Sequence, residues 1–103
     1  MGPKFRESGR PAYGKIVSQS TFTGDKIMIP APGAGKEIVI MSISLNTSTC
    51  SFGTGSAGGS TFYYATAGSV SFPIGFGVGE NKQVSTNAPT GRYIAINYYI
   101  HTL

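Results

Sequence analysis

A chain of 103 residues with 40% apolar side chains has room for one domain with a thin core and for no second. Only 12% of residues are charged, about half the usual share, so a low-charge surface is expected to be covered by a partner or by copies of the chain. One cysteine, Cys50, excludes an internal disulfide, and no apolar run approaches the length of a membrane helix.

Net charge is +4, and it is uneven. Lys4, Arg6, Arg10 and Lys15 stand against Glu7 alone in residues 1–15, while the rest of the chain is almost neutral. Gly2, Pro3, Gly9, Pro11 and Gly14 break up that leader, which is predicted to be an extended arm until it docks. Phe5 and Tyr13 are its two aromatic anchors, suited either to a groove on a partner or to the chain's own domain. A basic arm on a neutral body reads as a contact with an acidic surface or nucleic acid, or as a solvated tail. No apolar segment follows the opening charges, so a secretion signal is not expected.

From residue 16 a β domain is predicted. Residues 15–22 read as a first strand, Thr23-Gly24-Asp25 as a turn, and 26–30 as a short strand closed by Pro30 and Pro32. The spine is 36–46, where alternation assigns Val39, Met41, Ile43 and Leu45 to the core. Ile38, Ile40, Ser42 and Ser44 fall on the opposite, half-apolar face, as if partly covered by a second layer or a neighbouring subunit. A strand over 47–52, a flexible Gly/Ser loop over 53–59 and an aromatic strand over 60–66 follow. Ala67-Gly68 is a turn into 69–73, and the alternating glycines of 74–78 suit an irregular or bulged edge. A short strand over 82–86, a loop over 87–91 and a last strand over 92–102 close the chain. On that last strand Ile94, Ile96, Tyr98 and Ile100 share one face, and Tyr93, Ala95, Asn97, Tyr99 and His101 share the other. The pattern is that of an antiparallel β-sandwich, with the Val39 face packed on the Ile94 face.

Chemistry-bearing motifs fail on context. Gly53-Thr54-Gly55-Ser56-Ala57-Gly58 fits a dinucleotide fingerprint literally, but a β-like run follows it where a helix N-terminus is required. Gly35-Lys36 lacks the rest of a phosphate loop, with Pro30 and Glu37 in its obligatory places. His101 is the sole histidine, too few for a metal site with one cysteine and four scattered carboxylates, and it reads as a surface or subunit contact. Asp25, Glu37 and Glu80 sit on or beside turns, with nothing to single out a convergent pair. The tyrosines Tyr63, Tyr64, Tyr93, Tyr98 and Tyr99 suit core and subunit packing better than base stacking, since the neutral body lacks the basic groove that single-strand binders use. No catalytic residue, cofactor or metal site is assigned.

Several segments carry a resemblance: Ile29-Pro30-Ala31, Gly35-Lys36, the strand over 38–45, Ala67-Gly68-Ser69-Val70-Ser71-Phe72-Pro73-Ile74-Gly75-Phe76, Gly79-Glu80-Asn81, Val84 and the closing strand over 91–100. From Ile27 onward the chain resembles the jelly-roll decoration (cement) proteins of bacteriophage heads and related head-fibre or tail β domains. The Gly/Ser loop over 52–60 and the arm over 1–15 depart from the shared pattern. The resemblance implies a jelly roll that forms a homo-oligomer, a trimer, on the outside of the virion after synthesis in the host cytoplasm. Its partner would be the major capsid protein, whose neighbouring capsomers it would clamp. Lys4, Phe5, Arg6, Arg10, Tyr13 and Lys15 are then the capsid-binding arm, and Ile38, Ile40, Tyr93, Tyr99 and His101 the subunit interface. An arm of this length spans on the order of 50 Å when extended. The competing expectation is a tail or fibre module that grips a host glycan through Tyr63, Tyr64 and the 53–60 loop.

Overall fold

The computed structural model describes residues 14–18, 26–45, 49–66, 68–88 and 93–103; for 14–18 it describes the backbone alone. Among the described residues there are eight strands: β1 (Gly14–Ser18), β2 (Ile27–Ile29), β3 (Lys36–Leu45), β4 (Cys50–Gly53), β5 (Thr61–Ala65), β6 (Gly68–Glu80), β7 (Val84–Thr86) and β8 (Ile94–Thr102). They form two antiparallel four-stranded sheets, β1-β8-β3-β6 (sheet A) and β2-β7-β4-β5 (sheet B). This is a β-sandwich in the jelly-roll order, two interleaved Greek keys. The strands lie close to the stretches that alternation marks out, except that 69–73 and 74–78 join into the single edge strand β6.

The core lies between the sheets. Sheet A contributes Ile38, Ile40, Ile43, Leu45, Ile94 and Ile96, and sheet B contributes Met28, Ile29, Cys50, Phe52, Ala65 and Val84. Complete burial of an aliphatic or aromatic side chain of this size stabilises by about 1.5–3 kcal/mol.

The inward face of β3 departs from simple alternation. Ile40 pairs with Tyr98, yet the next paired residue, Ser42, stands opposite Asn97, so Met41 is an extra residue in β3. A bulge of this kind advances the chain by one residue without advancing the partner, and so it resets the alternation. Ile38 and Ile40 face inward before it, Ile43 and Leu45 after it. The predicted core pair Val39 and Met41 therefore belongs to the outer face, and the predicted interface pair Ile38 and Ile40 to the core, both with no exposed surface. On β8, which has no bulge, Ile94 and Ile96 are buried and Tyr98 and Ile100 pack against the core as alternation requires.

The 53–59 segment, expected as a flexible loop, is a hydrogen-bonded cap over β7. Its tip is a 3-10 turn, Ser56–Gly58, closed by the Gly59 N–H on the Ser56 carbonyl at 2.8 Å. Buried Ser85 holds it from below: its Oγ accepts the Gly58 N–H at 2.9 Å and shares its proton between the Gly53 and Gly55 carbonyls. Gln83 Nε2 adds a donor to the Gly55 carbonyl at 3.1 Å.

Candidate functional site

The broad outer face of sheet A carries those residues of the predicted subunit interface that are described and lie outside the core. Because Ile94, Ile96, Tyr98 and Ile100 point inward, Ala95, Asn97, Tyr99 and His101 alternate outward on β8. Register then sets Tyr99 beside Val39 and His101 beside Glu37. Tyr93, immediately before β8, is half exposed. Across β3 and β6 the face continues in Ser42, Ser44, Ser69 and Ser71, where Ser42 pairs with Ser71 and Ser44 with Ser69. Its polar groups largely satisfy each other: the Ser44 and Ser69 hydroxyls share a hydrogen bond of 2.8 Å, and Asn97 Nδ2 donates to Ser42 Oγ at 2.8 Å.

At the Tyr93 end lies an open cleft of about 310 Å³ lined by Ser44, Leu45, Gly68, Ser69, Tyr93, Ile94 and Ala95. Among the described lining residues there is no Asp, Glu, His, Lys or Arg. The cleft's described lining offers apolar surface and hydroxyls.

A lip stands at the β6 edge of the face, midway along the strand. Between Ile40↔Phe76 and Ser42↔Ser71, β3 spends one residue and β6 spends four, Phe72 to Gly75. The surplus chain turns at Gly75, whose φ is +85°. An added Cβ at Gly75 would lie 2.6 Å from Val39 Cγ1 and 3.3 Å from Met41 Sδ, so the lip covers these two outer-face side chains and Val39 retains only 7% exposure. Ile74 rides on this lip at 88% exposure, beside Pro73.

The aromatic residues of β5 divide between packing and surface. Phe52 pairs with Tyr63 and Gly53 with Thr61, so Phe62 is an extra residue, and it and Tyr63 both join the side of the sandwich next to β6. Phe62 lies 5.2 Å from Phe76, Phe72 lies 5.7 Å from Phe76, and Tyr63 meets Phe72 edge-on at 5.6 Å. Tyr63 is thereby committed to internal packing, while Tyr64 is 63% exposed.

Glu37 and Glu80, unremarkable in sequence, are register partners across β3 and β6. Both accept backbone N–H groups, from Gly79 at 3.0 Å and Gly35 at 2.7 Å. Lys4, Phe5, Arg6, Arg10 and Tyr13 of the arm, and Asp25, lie outside the described residues. Lys15 is in β1, opposite Asn97 at the edge of sheet A. Among the described residues no three His, Cys, Asp or Glu side chains are grouped to hold a metal.

Alternation along β8 was enough to place Tyr99 and His101 together. The alternating glycines of 74–78 did mark the bulged edge that carries Ile74, whereas the Tyr93 cleft carried no such signal, because it forms where separate strands meet. No family model, curated protein or solved structure matches this chain.

Proposed function

We propose that this chain is a bacteriophage capsid decoration protein that binds the outer capsid surface as a homo-oligomer, a trimer, and ties neighbouring capsomers together. The observation that supports this reading best is the place of β1. It is the edge strand of sheet A, and it begins at Gly14 opposite Tyr98. The basic leader therefore joins the sandwich at the rim of the face that bears Tyr99 and His101. Thirteen residues precede Gly14, and extended they reach about 45 Å, which is longer than the 39 Å body. A body that binds by an uncharged face and a leader that reaches beyond it suit adhesion between large subunits. Arg6 and Arg10 supply charge-assisted contacts to carboxylates of the major capsid protein, and Phe5 and Tyr13 supply apolar anchors. Several copies in one oligomer multiply a weak single contact through effective concentration.

The test is to add purified protein to phage heads prepared without it and to image them by cryo-microscopy. Density on the outer surface, bridging capsomers, together with greater resistance of the heads to heat, is the expected outcome. A chain lacking residues 1–13 should leave the heads bare. Heads that stay undecorated by the full chain overturn the reading, as does a glycan-array signal that survives loss of the arm.

A further inference from the structure

We propose that residues 10–13 of the arm lie along the end of β8 in the same molecule, extending β1 to Arg10 and fixing the direction in which the arm leaves the body. The proposal deepens the arm's part of the reading above and rests on that reading only for what the arm then grips.

β8 outruns its neighbour. β1 begins at Gly14, opposite Tyr98, while β8 continues to Thr102. Among the described residues no strand lies beside Tyr99–Thr102 on that side of sheet A. The backbone there is turned to receive one. The Leu103 N–H reaches the Gly35 carbonyl at 2.8 Å, one step past the Lys36↔Thr102 pair. Bonded and non-bonded pairs alternate in an antiparallel ladder, so Glu37↔His101 is bonded, whereas Lys36↔Thr102 and Ile38↔Ile100 are not. Ile100 and Thr102 therefore direct their N–H and C=O groups away from β3, to the side on which β1 lies. A row of such groups is a template for a further strand.

The arm fits that row in register. The β1–β8 pairs run from Ser18↔Ile94 to Gly14↔Tyr98. Continued, they set Tyr13 opposite Tyr99, Ala12 opposite Ile100, Pro11 opposite His101 and Arg10 opposite Thr102. Ala12 and Arg10 thus take the bonded positions, each with an N–H to give. Pro11 takes a non-bonded one, where its missing donor is turned away from β8 and the ladder loses nothing. A slip of one residue would set proline against Ile100 or Thr102 and forfeit a bond. Tyr13 meets Tyr99 at a non-bonded pair, the closer cross-strand approach, where two aromatic side chains stabilise. Gly9 falls opposite Leu103, beyond β8, and the pairing stops there. Because Gly14 is already in place, each added pair closes no new loop, an advantage that no strand from another molecule has. The nine residues before Arg10, with Lys4, Phe5 and Arg6 among them, then leave the body past Thr102 and reach about 30 Å.

Amide exchange in the full chain, read by NMR, tests the pairing. The Ile100 and Thr102 amides should be protected, and Ala12→Pro, which puts a ring at a bonded position, should speed both by about tenfold. Pro11→Ala should leave them as slow as in the wild type, and the amides of β3 should report an intact fold in both variants. Separately, a chain carrying Tyr13→Cys and Tyr99→Cys is oxidised mildly. A non-bonded pair sets its two Cα atoms about 4.5 Å apart, within disulfide range, so a disulfide within one chain is expected. Fast exchange at Ile100 and Thr102 in the wild type overturns the proposal, as does protection that survives Ala12→Pro. A 13–99 disulfide that joins two copies overturns it too, since the arm then lies on a neighbour. Undecorated heads alongside protected amides sink the capsid reading and leave this pairing standing.

Discussion

Glu37 and Glu80 face each other across β3 and β6, and each carboxylate holds a backbone N–H from the segment that carries the other. Glu37 Oε2 takes the Gly79 N–H, and Glu80 Oε2 takes the Gly35 N–H. Asn81 continues the stitch, with its side-chain oxygen on the Gly33 N–H at 2.9 Å and its own N–H on the Lys36 carbonyl at 2.7 Å. Two like charges placed opposite one another repel, so the pair owes its position to the amides it binds.

The stitch separates charge from acceptor. Glu80→Gln keeps an oxygen for Gly35 and removes the repulsion, so urea denaturation should find it neutral or slightly stabilising at low salt. Glu37→Ala, which strands the Gly79 N–H at a half-buried site, should cost about 1–2 kcal/mol. Amide exchange at Gly79 should accelerate in that variant and stay unchanged in the Gln variant.

The Met41 bulge makes an unusual deletion tolerable. Ile40 and Ser42 already face consecutive residues of β8, Tyr98 and Asn97, so removing Met41 leaves Ile38, Ile40, Ile43 and Leu45 on the inner face. The shortened chain should still unfold cooperatively. Removing Ile43 instead turns Ser44 inward and Leu45 outward, and that chain should give no cooperative transition by circular dichroism.

Two glycines are required for different reasons. Gly75 has a φ of +85°, and a Cβ there would press on Val39; Gly75→Ala should cost about 2–4 kcal/mol from backbone strain and overpacking together. At Gly53 a Cβ would lie 2.0 Å from the Gly59 carbonyl oxygen. Gly53→Ala should lift the 54–60 cap from Ser85, and limited proteolysis should then cut within it.

Burial pushes the Cys50 thiol above its ordinary value of 9.0, and its hydrogen bond with Thr86 offsets part of that rise. The folded state therefore holds this proton where the unfolded chain has begun to lose it. The associated stability is fully present below the unfolded value and falls as pH climbs from there through the folded one. Thermal unfolding of wild type against Cys50→Ala should show a loss above about pH 9 that the variant lacks. Below that pH a thiol reagent should label Cys50 only at the rate of opening.

Much of the sandwich was legible one strand at a time. Alternation along 94–102 assigned both faces of β8 correctly, since a strand with no bulge has a single phase. Along 36–46 the same reasoning reversed the first half of β3, because the extra residue at Met41 is imposed by pairing with β8 and β6 and leaves no local mark. Phe62 raises the same difficulty in β5. The glycines over 53–59 looked like freedom when read alone, but Ser85 and Gln83, far along the chain, supply the bonds that hold that segment.

The amino-acid order by itself determined that the chain is built of short strands, that its charge gathers in the first fifteen residues, and that the last strand has one apolar face. These properties follow from side-chain period and composition, which are local. Only the tertiary structure decided which isoleucines of β3 are core, that Glu37 meets Glu80, and that Ile74 and the Tyr93 cleft belong to sheet A. Each of those depends on register between distant strands, and a shift of one residue carries a side chain from one face of a sheet to the other.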